Sequence, residues 1–151
     1  MSSQSDKMAT KDETSFKDKT FRQYAPEQAK AYASNRHSFQ ENFFKVILAY
    51  HQATGGTLGT LLDVGCGPGN STRPLAKHFA NAYGIDPGSQ MINVARSISA
   101  EAAEKGEPET SSGKPIVFVE GTAEELEGPF REDGKKVDLL TAGTAVWVCL
   151  L

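Results

Sequence analysis

Apolar residues recur at helical spacing early in the chain and then gather into short unbroken runs. Phe39, Phe43, Val46, Ile47 and Tyr50 stand at i, i+4, i+7, i+8 and i+11, which is one face of a helix. Gly55-Gly56 closes that segment. Upstream, Pro26 suits the first turn of a short Ala-rich helix over residues 27–34. Thr60–Val64 is apolar without polar alternation and runs into glycines, the pattern of a strand buried on both faces. Residues 71–80 read as a helix, with Pro74 in its first turn, and residues 82–85 as a second buried strand ending at Asp86 and the turn Pro87-Gly88. Ser89 is the expected N-cap of a helix through Met91, Ile92, Ala95, Ile98 and Ala102. A polar Pro/Gly/Ser loop follows at 106–113, then a third strand at 116–119 and a helical turn at 123–126 closed by Gly128-Pro129. A fourth strand is expected at 137–142. Strand and helix alternate from Thr60 onward, which argues for an α/β fold on a parallel sheet.

The first 19 residues hold little apolar surface beyond Met8 and Phe16 and are expected to form a disordered tail. The expected organisation is a tail at 1–20, a helical cap at 21–56 and a cofactor-binding domain at 57–151. A length of 151 residues fits one domain. A formal charge of −3, from 16 basic and 19 acidic residues, gives no electrostatic reason for a nucleic-acid partner. Cys66 and Cys149 are too few for a disulfide framework. The first 20 residues lack a hydrophobic signal core, and the apolar run at 145–151 is too short to span a bilayer. No membrane partner is expected, and the default location is cytoplasmic. His37, His51 and His78 show no metal-ligand spacing with each other or with the cysteines, so no metal is expected.

The chemistry concentrates in Leu61-Leu62-Asp63-Val64-Gly65-Cys66-Gly67-Pro68-Gly69-Asn70, at a strand end and before a helix. Glycines there let the backbone turn sharply and let a ligand approach. The following helix presents unpaired N–H groups. Two cofactor classes use such a loop. The dinucleotide fingerprint is G-x-G-x-x-G, whereas this loop is G-x-G-x-G, and Asn70 stands where the dinucleotide pattern wants glycine or alanine. Asp63 repels a pyrophosphate and attracts a cofactor carrying a sulfonium and an ammonium. Asp86, about twenty residues beyond the first glycine, is placed to accept ribose hydroxyls, or to serve as a turn or capping carboxylate.

Asp63-Val-Gly65-Cys-Gly67-Pro-Gly69 resembles the first motif of class I S-adenosylmethionine-dependent methyltransferases. The resemblance implies a doubly wound, Rossmann-like parallel sheet with S-adenosyl-L-methionine across the strand ends. It implies cofactor contacts from Asp63, Gly65, Cys66, Gly67 and Gly69, and a ribose role for Asp86. Asp63 is equally placed to brace the loop through backbone N–H groups. Met91 is either a wall for the adenine or a core residue. Val119-Glu120-Gly121-Thr122-Ala123-Glu124 resembles the segment that reads the adenine edge, with Thr122 where the family often has Asp, and Ala123 serving through its backbone. Thr141, at the end of Asp138-Leu-Leu-Thr141-Ala142, resembles the strand end beside the methionine part of the cofactor. Upstream, Phe21…Tyr32-Ala-Ser-Asn-Arg36-His-Ser-Phe39 is similar to the trans-aconitate type of this family, which makes Tyr32 and Arg36 weak candidates for substrate binding. That type has prolines after the arginine, where this chain has His37-Ser38-Phe39.

In the family's order the four strands lie 3-2-1-4, with further strands beside the fourth. The chain is therefore expected to be an incomplete methyltransferase domain, with strand four as an exposed apolar edge. Val148-Cys149 can be encoded by GTATGT, a form of eukaryotic 5′ splice site, so Val148–Leu151 is expected to be intron read-through or the product of a gene model that missed an intron. The implied reaction is methyl transfer to a small-molecule acceptor such as a carboxylic acid, where positioning supplies most of the acceleration and no general base is needed. Two alternatives stand beside it: a non-catalytic fragment of such an enzyme, and a dinucleotide-dependent oxidoreductase.

Overall fold

The computed structural model describes residues 25–35, 41–124 and 136–143. Its elements are α1 (Pro26–Asn35), α2 (Glu41–Ala53), β1 (Thr60–Val64), α3 (Thr72–Ala76), β2 (Asn81–Asp86), α4 (Ser89–Glu104), β3 (Val117–Glu120) and β4 (Leu139–Thr141). The four strands form one sheet in the order β3-β2-β1-β4. Every pairing is parallel, with Leu61 opposite Ala82 and Leu139, and Tyr83 opposite Val117. The order reverses between β1 and β4, the switch that defines a doubly wound sheet and opens a crevice beyond its carboxyl ends.

Alternation along the strands sends Leu61, Ala82 and Phe118 to one face and Leu62, Tyr83 and Ile85 to the other. On the first face, Leu61, Ala82 and Phe118 pack with Phe44 and Leu48 of α2, with Leu75, Ala76 and Phe79, and with Ile92 and Ala95 of α4. The second face carries a smaller cluster of Leu62, Tyr83 and Ile85, joined by Val64. Gly84 in mid-β2 is required by close packing. A Cβ there would stand 2.7 Å from the Phe118 ring and 2.9 Å from Cys66 Sγ.

The elements depart from expectation in several places. α2 turns a different face inward. Phe44, Leu48 and His51 are buried, while Val46 and Tyr50 are 68% and 72% exposed and Phe43 is also exposed. Both stripes have helical spacing, and contact with α3 and the sheet selects between them. Val46, Ile47 and Tyr50 instead line an open apolar groove beside Leu139. α3 stops at Ala76 rather than Ala80, because His78 and Phe79 donate to Leu75 and Ala76 in tight i→i−3 turns that drive Phe79 fully into the core. Ser89 is the first residue of α4, not its cap. The N-cap is Gly88, whose neighbour Asp86 supplies the carboxylate that the turn needs. His51, given no role from sequence, is a core residue. Its Nε2 lies 2.8 Å from the Thr57 carbonyl oxygen, and its ring lies 6.1 Å from that of Phe79.

β4 is shorter than expected, but its start is secured. Asp138 Oδ2 accepts the Thr60 N–H at 2.7 Å, and its Oδ1 accepts the Thr57 hydroxyl. These bonds hold the Asp138 carboxyl below its usual range. Leu140 is 53% exposed on this outer strand. The expected tail, the second half of the 123–126 turn, Gly128-Pro129 and Val148–Leu151 lie outside the described residues.

The choice of buried face on α2 has a direct test. Phe44→Ala and Leu48→Ala should each lower the unfolding free energy by about 2–4 kcal/mol in urea titrations. Val46→Ala and Tyr50→Ala should change it by less than about 0.5 kcal/mol. Large losses at Val46 and Tyr50 with none at Phe44 would reverse the packing assignment.

Candidate cofactor site

The loop between β1 and α3 lies at the switch point, and three glycines shape it. Gly65, Gly67 and Gly69 have φ of 66°, 55° and 86°, a region that side chains with a Cβ rarely enter. A Cβ on Gly67 would meet nothing within 4 Å, so the space over the middle of the loop is open to a ligand. Gly65 and Cys66 donate their N–H groups to the Ile85 carbonyl, which stitches the loop to the end of β2. The Cys66 side chain turns into the core, and burial pushes its thiol well above its ordinary range. It offers a ligand its backbone and no reactive sulfur.

Asp63 is 2% exposed, one residue before the end of β1. Its Oδ2 accepts the Thr72 hydroxyl at 2.6 Å and its Oδ1 accepts the Thr141 hydroxyl at 2.8 Å. The bracing role expected for Asp63 is therefore met by hydroxyls from α3 and β4, not by backbone N–H groups. Burial pushes its carboxyl upward, the two hydroxyl bonds pull it down, and the nearby Asp86 charge raises it further.

Asp86 ends β2 and is 8% exposed. Oδ2 accepts the Gly67 N–H and Oδ1 the Gly88 N–H, each at 2.8 Å. One carboxylate thus joins the middle of the glycine loop to the start of α4. Burial raises its pKa, and the amides of Gly88 and Gly67 oppose the rise. Gly121 donates to the Asp86 carbonyl at 3.1 Å, drawing the end of β3 to the same place.

The other sequence candidates fall around this centre. Met91 is buried on α4. Thr122 is half-buried and Ala123 exposed just beyond β3, while Thr141 is half-buried and already bonded to Asp63. Tyr32 is half-buried on α1, next to Ala33, whose carbonyl accepts Asn70 Nδ2 at 3.2 Å. Asn70 therefore ties the N-terminal helix to the glycine loop. Arg36 lies outside the described residues. Sequence reasoning missed Arg73 and Glu109, which form a buried polar cluster behind the loop. Charged residues flanked by Pro74 and Pro108 were the only available signal.

Glycine loop, buried acid at the end of β2 and topological switch together define a doubly wound α/β domain with an open crevice at its switch point, where sheets of this kind bind ligands. Residues 62–149, more than half of the chain, match the family described as methyltransferase domain. The chain belongs to that family. It is 29% identical over 138 residues to the probable S-adenosylmethionine-dependent methyltransferase CRG1 of Saccharomyces cerevisiae, covering 91% of this chain and 40% of that protein. It is 32% identical over 100 residues to methyltransferase ptaI of Pestalotiopsis fici, covering 64% of this chain and 27% of that one. The chain thus spans less than half the length of these relatives. The crystal structure of an S-adenosylmethionine-dependent methyltransferase from Clostridium acetobutylicum shares the fold, with a TM-score of 0.54 and 20% identity over 77% of this chain and 42% of that one. Among the described residues, no helix is long and apolar enough to cross a membrane, and no cluster of three or more His, Cys, Asp or Glu could hold a metal ion.

The Asp63 brace predicts a pH signature. Asp63 has a raised folded pKa, so its charge weakens the fold above that range and the penalty fades as the pH falls through it. Thr72→Val removes one stabilising donor and should raise that pKa further. The cost should be about 1–3 kcal/mol near neutral pH and should shrink as Asp63 becomes protonated. An equal cost at all pH values in urea titrations would show that the Thr72 hydroxyl does not act through the charge.

Proposed function

We propose that this chain forms the S-adenosyl-L-methionine site of a class I methyltransferase acting on a small molecule. The observation that carries the reading is the Asp86 carboxylate, anchored by the amides of Gly67 and Gly88 beside the open face of the glycine loop. The two amides orient the carboxylate while leaving its remaining lone pairs for ribose hydroxyls. Family membership and the relatives named above support the choice of cofactor.

Each residue then has a role. Gly65, Gly67 and Gly69, with the Cys66 backbone, form the surface against which the cofactor lies. Asp63 braces that surface and adds negative charge beneath it, which favours a cationic ligand. Met91 backs the adenine from α4, and Thr122 and Ala123 read its edge. Thr141 holds the end of β4 beside the methionine portion. When bound, the cofactor supplies an electrophilic methyl group on a sulfonium. The protein's task is to align an acceptor atom with that carbon and to exclude water. The acceptor class we favour is a small carboxylic acid of the trans-aconitate kind, with Tyr32 and Arg36 as the candidate residues to bind it. Its support is the similarity of the segment 21–39 to that methyltransferase type.

Calorimetric titration with S-adenosylmethionine, with NAD as control, tests the cofactor assignment. Saturable binding of the first alone is expected, lost in Asp86→Ala. Binding of NAD in preference would overturn the assignment. Affinity should also depend on pH. Asp86 accepts hydroxyls best as a carboxylate and carries a raised pKa, so affinity should fall as the pH drops, with a midpoint above that of an ordinary aspartate. An affinity unchanged down to the ordinary aspartate range would remove Asp86 from the contact.

A further inference from the structure

Arg73 on α3 is a largely buried cation whose bonds all lead away from its own helix. Nη1 donates to the Pro68 carbonyl at 2.6 Å, in the middle of the glycine loop. Nη2 donates to the Ala95 carbonyl of α4 at 2.8 Å. The guanidinium carbon lies 5.1 Å from the centre of the Phe118 ring on β3. Nε has no hydrogen-bond partner but stands 3.7 Å from Glu109 Oε1, close enough for charge attraction. Glu109 is itself anchored. Oε1 accepts the Ser99 hydroxyl at 2.8 Å, and Oε2 accepts the Ile116 N–H at 3.0 Å.

This cluster occupies the space behind Gly69. A Cβ on Gly69 would stand 2.6 Å from Arg73 Nη1 and 2.7 Å from Phe118 Cζ. The loop is thus held from two sides, by Asp86 at Gly67 and by Arg73 at Pro68. The elements that Arg73 joins to it, α4 and β3, are those that carry Met91 and lead to Thr122 and Ala123. A guanidinium suits the position because its donors point in fixed, divergent directions and it stays charged when half desolvated. Lysine offers one ammonium and could not span the same carbonyls with the same geometry.

We propose that Arg73 is a positioning residue for the cofactor site. With Glu109 behind it, Arg73 pins the Pro68 carbonyl and sets the glycine loop in register with α4 and β3. The proposal rests on the cofactor reading for its effect on affinity, but not for its effect on the loop.

Amide hydrogen exchange on the ligand-free full chain, together with titration by S-adenosylhomocysteine, tests it. In Arg73→Gln, exchange at the Gly67 and Gly69 amides should rise by ~10-fold or more, as expected for losing charge-assisted bonds. Exchange in β1 and β2 should stay near the wild-type rate. Affinity should fall by roughly 10-fold, with Arg73→Lys intermediate between wild type and Arg73→Gln. Unchanged loop exchange in folded Arg73→Gln would overturn the proposal. So would an equal rise through β1 and β2, which marks a residue that only stabilises the fold. If Arg73→Gln does not fold, Glu109→Gln takes its place, and loop exchange unchanged there overturns the proposal as well. If wild type fails to bind S-adenosylhomocysteine, the cofactor reading fails on its own, and loop exchange still decides the role of Arg73.

Discussion

The rest of this structure depends on a buried carboxylate. Asp63 lies within the first strand of the sheet, almost wholly removed from water. A carboxylate there is costly unless its oxygens are satisfied. Two threonine hydroxyls satisfy them, one from α3 and one from β4. The same two bonds tie together the three elements that meet at the switch point. The glycine loop runs from the end of β1 to the start of α3, so both of its ends are held by this single group.

The loop is then shaped from outside. Asp86 takes the Gly67 amide, Arg73 takes the Pro68 carbonyl, and the Ile85 carbonyl takes the amides of Gly65 and Cys66. Little of this is intrinsic to the loop sequence. Glycines permit the left-handed turns, but a flexible segment is a poor binding surface unless something removes its freedom. Here hydrogen bonds from a strand end and a neighbouring helix do so before any ligand arrives. Two buried acids, Asp63 and Asp86, also place negative charge beside the loop.

The outer parts of the domain follow a different logic. α2 carries apolar residues on more than one side, and the sheet takes only Phe44 and Leu48. Val46 and Tyr50 stay exposed beside Leu139. β4 is short and leaves Leu140 open. Asp138, just before β4, nonetheless secures the start of that strand by bonding to Thr57 and to Thr60 of β1. The sheet is most tightly organised at β1 and β2 and looser toward β4.

The sequence by itself determined the alternation of strands and helices, the limits of β1 and the glycine loop that follows it. Each of those rests on a local pattern: an unbroken apolar run, a glycine at a left-handed turn, an acid at a strand end. It did not decide which stripe of α2 faces inward, because Phe39–Tyr50 and Phe44–His51 both satisfy helical spacing. Only the surface that the helix meets breaks that tie. Nor did it show that Asp63 is held by Thr72 and Thr141, or that Arg73 reaches Pro68, Ala95 and Phe118. Thr141 lies 78 residues from Asp63 and Ala95 lies 22 from Arg73, and no local pattern records a bond between residues that only the fold brings together.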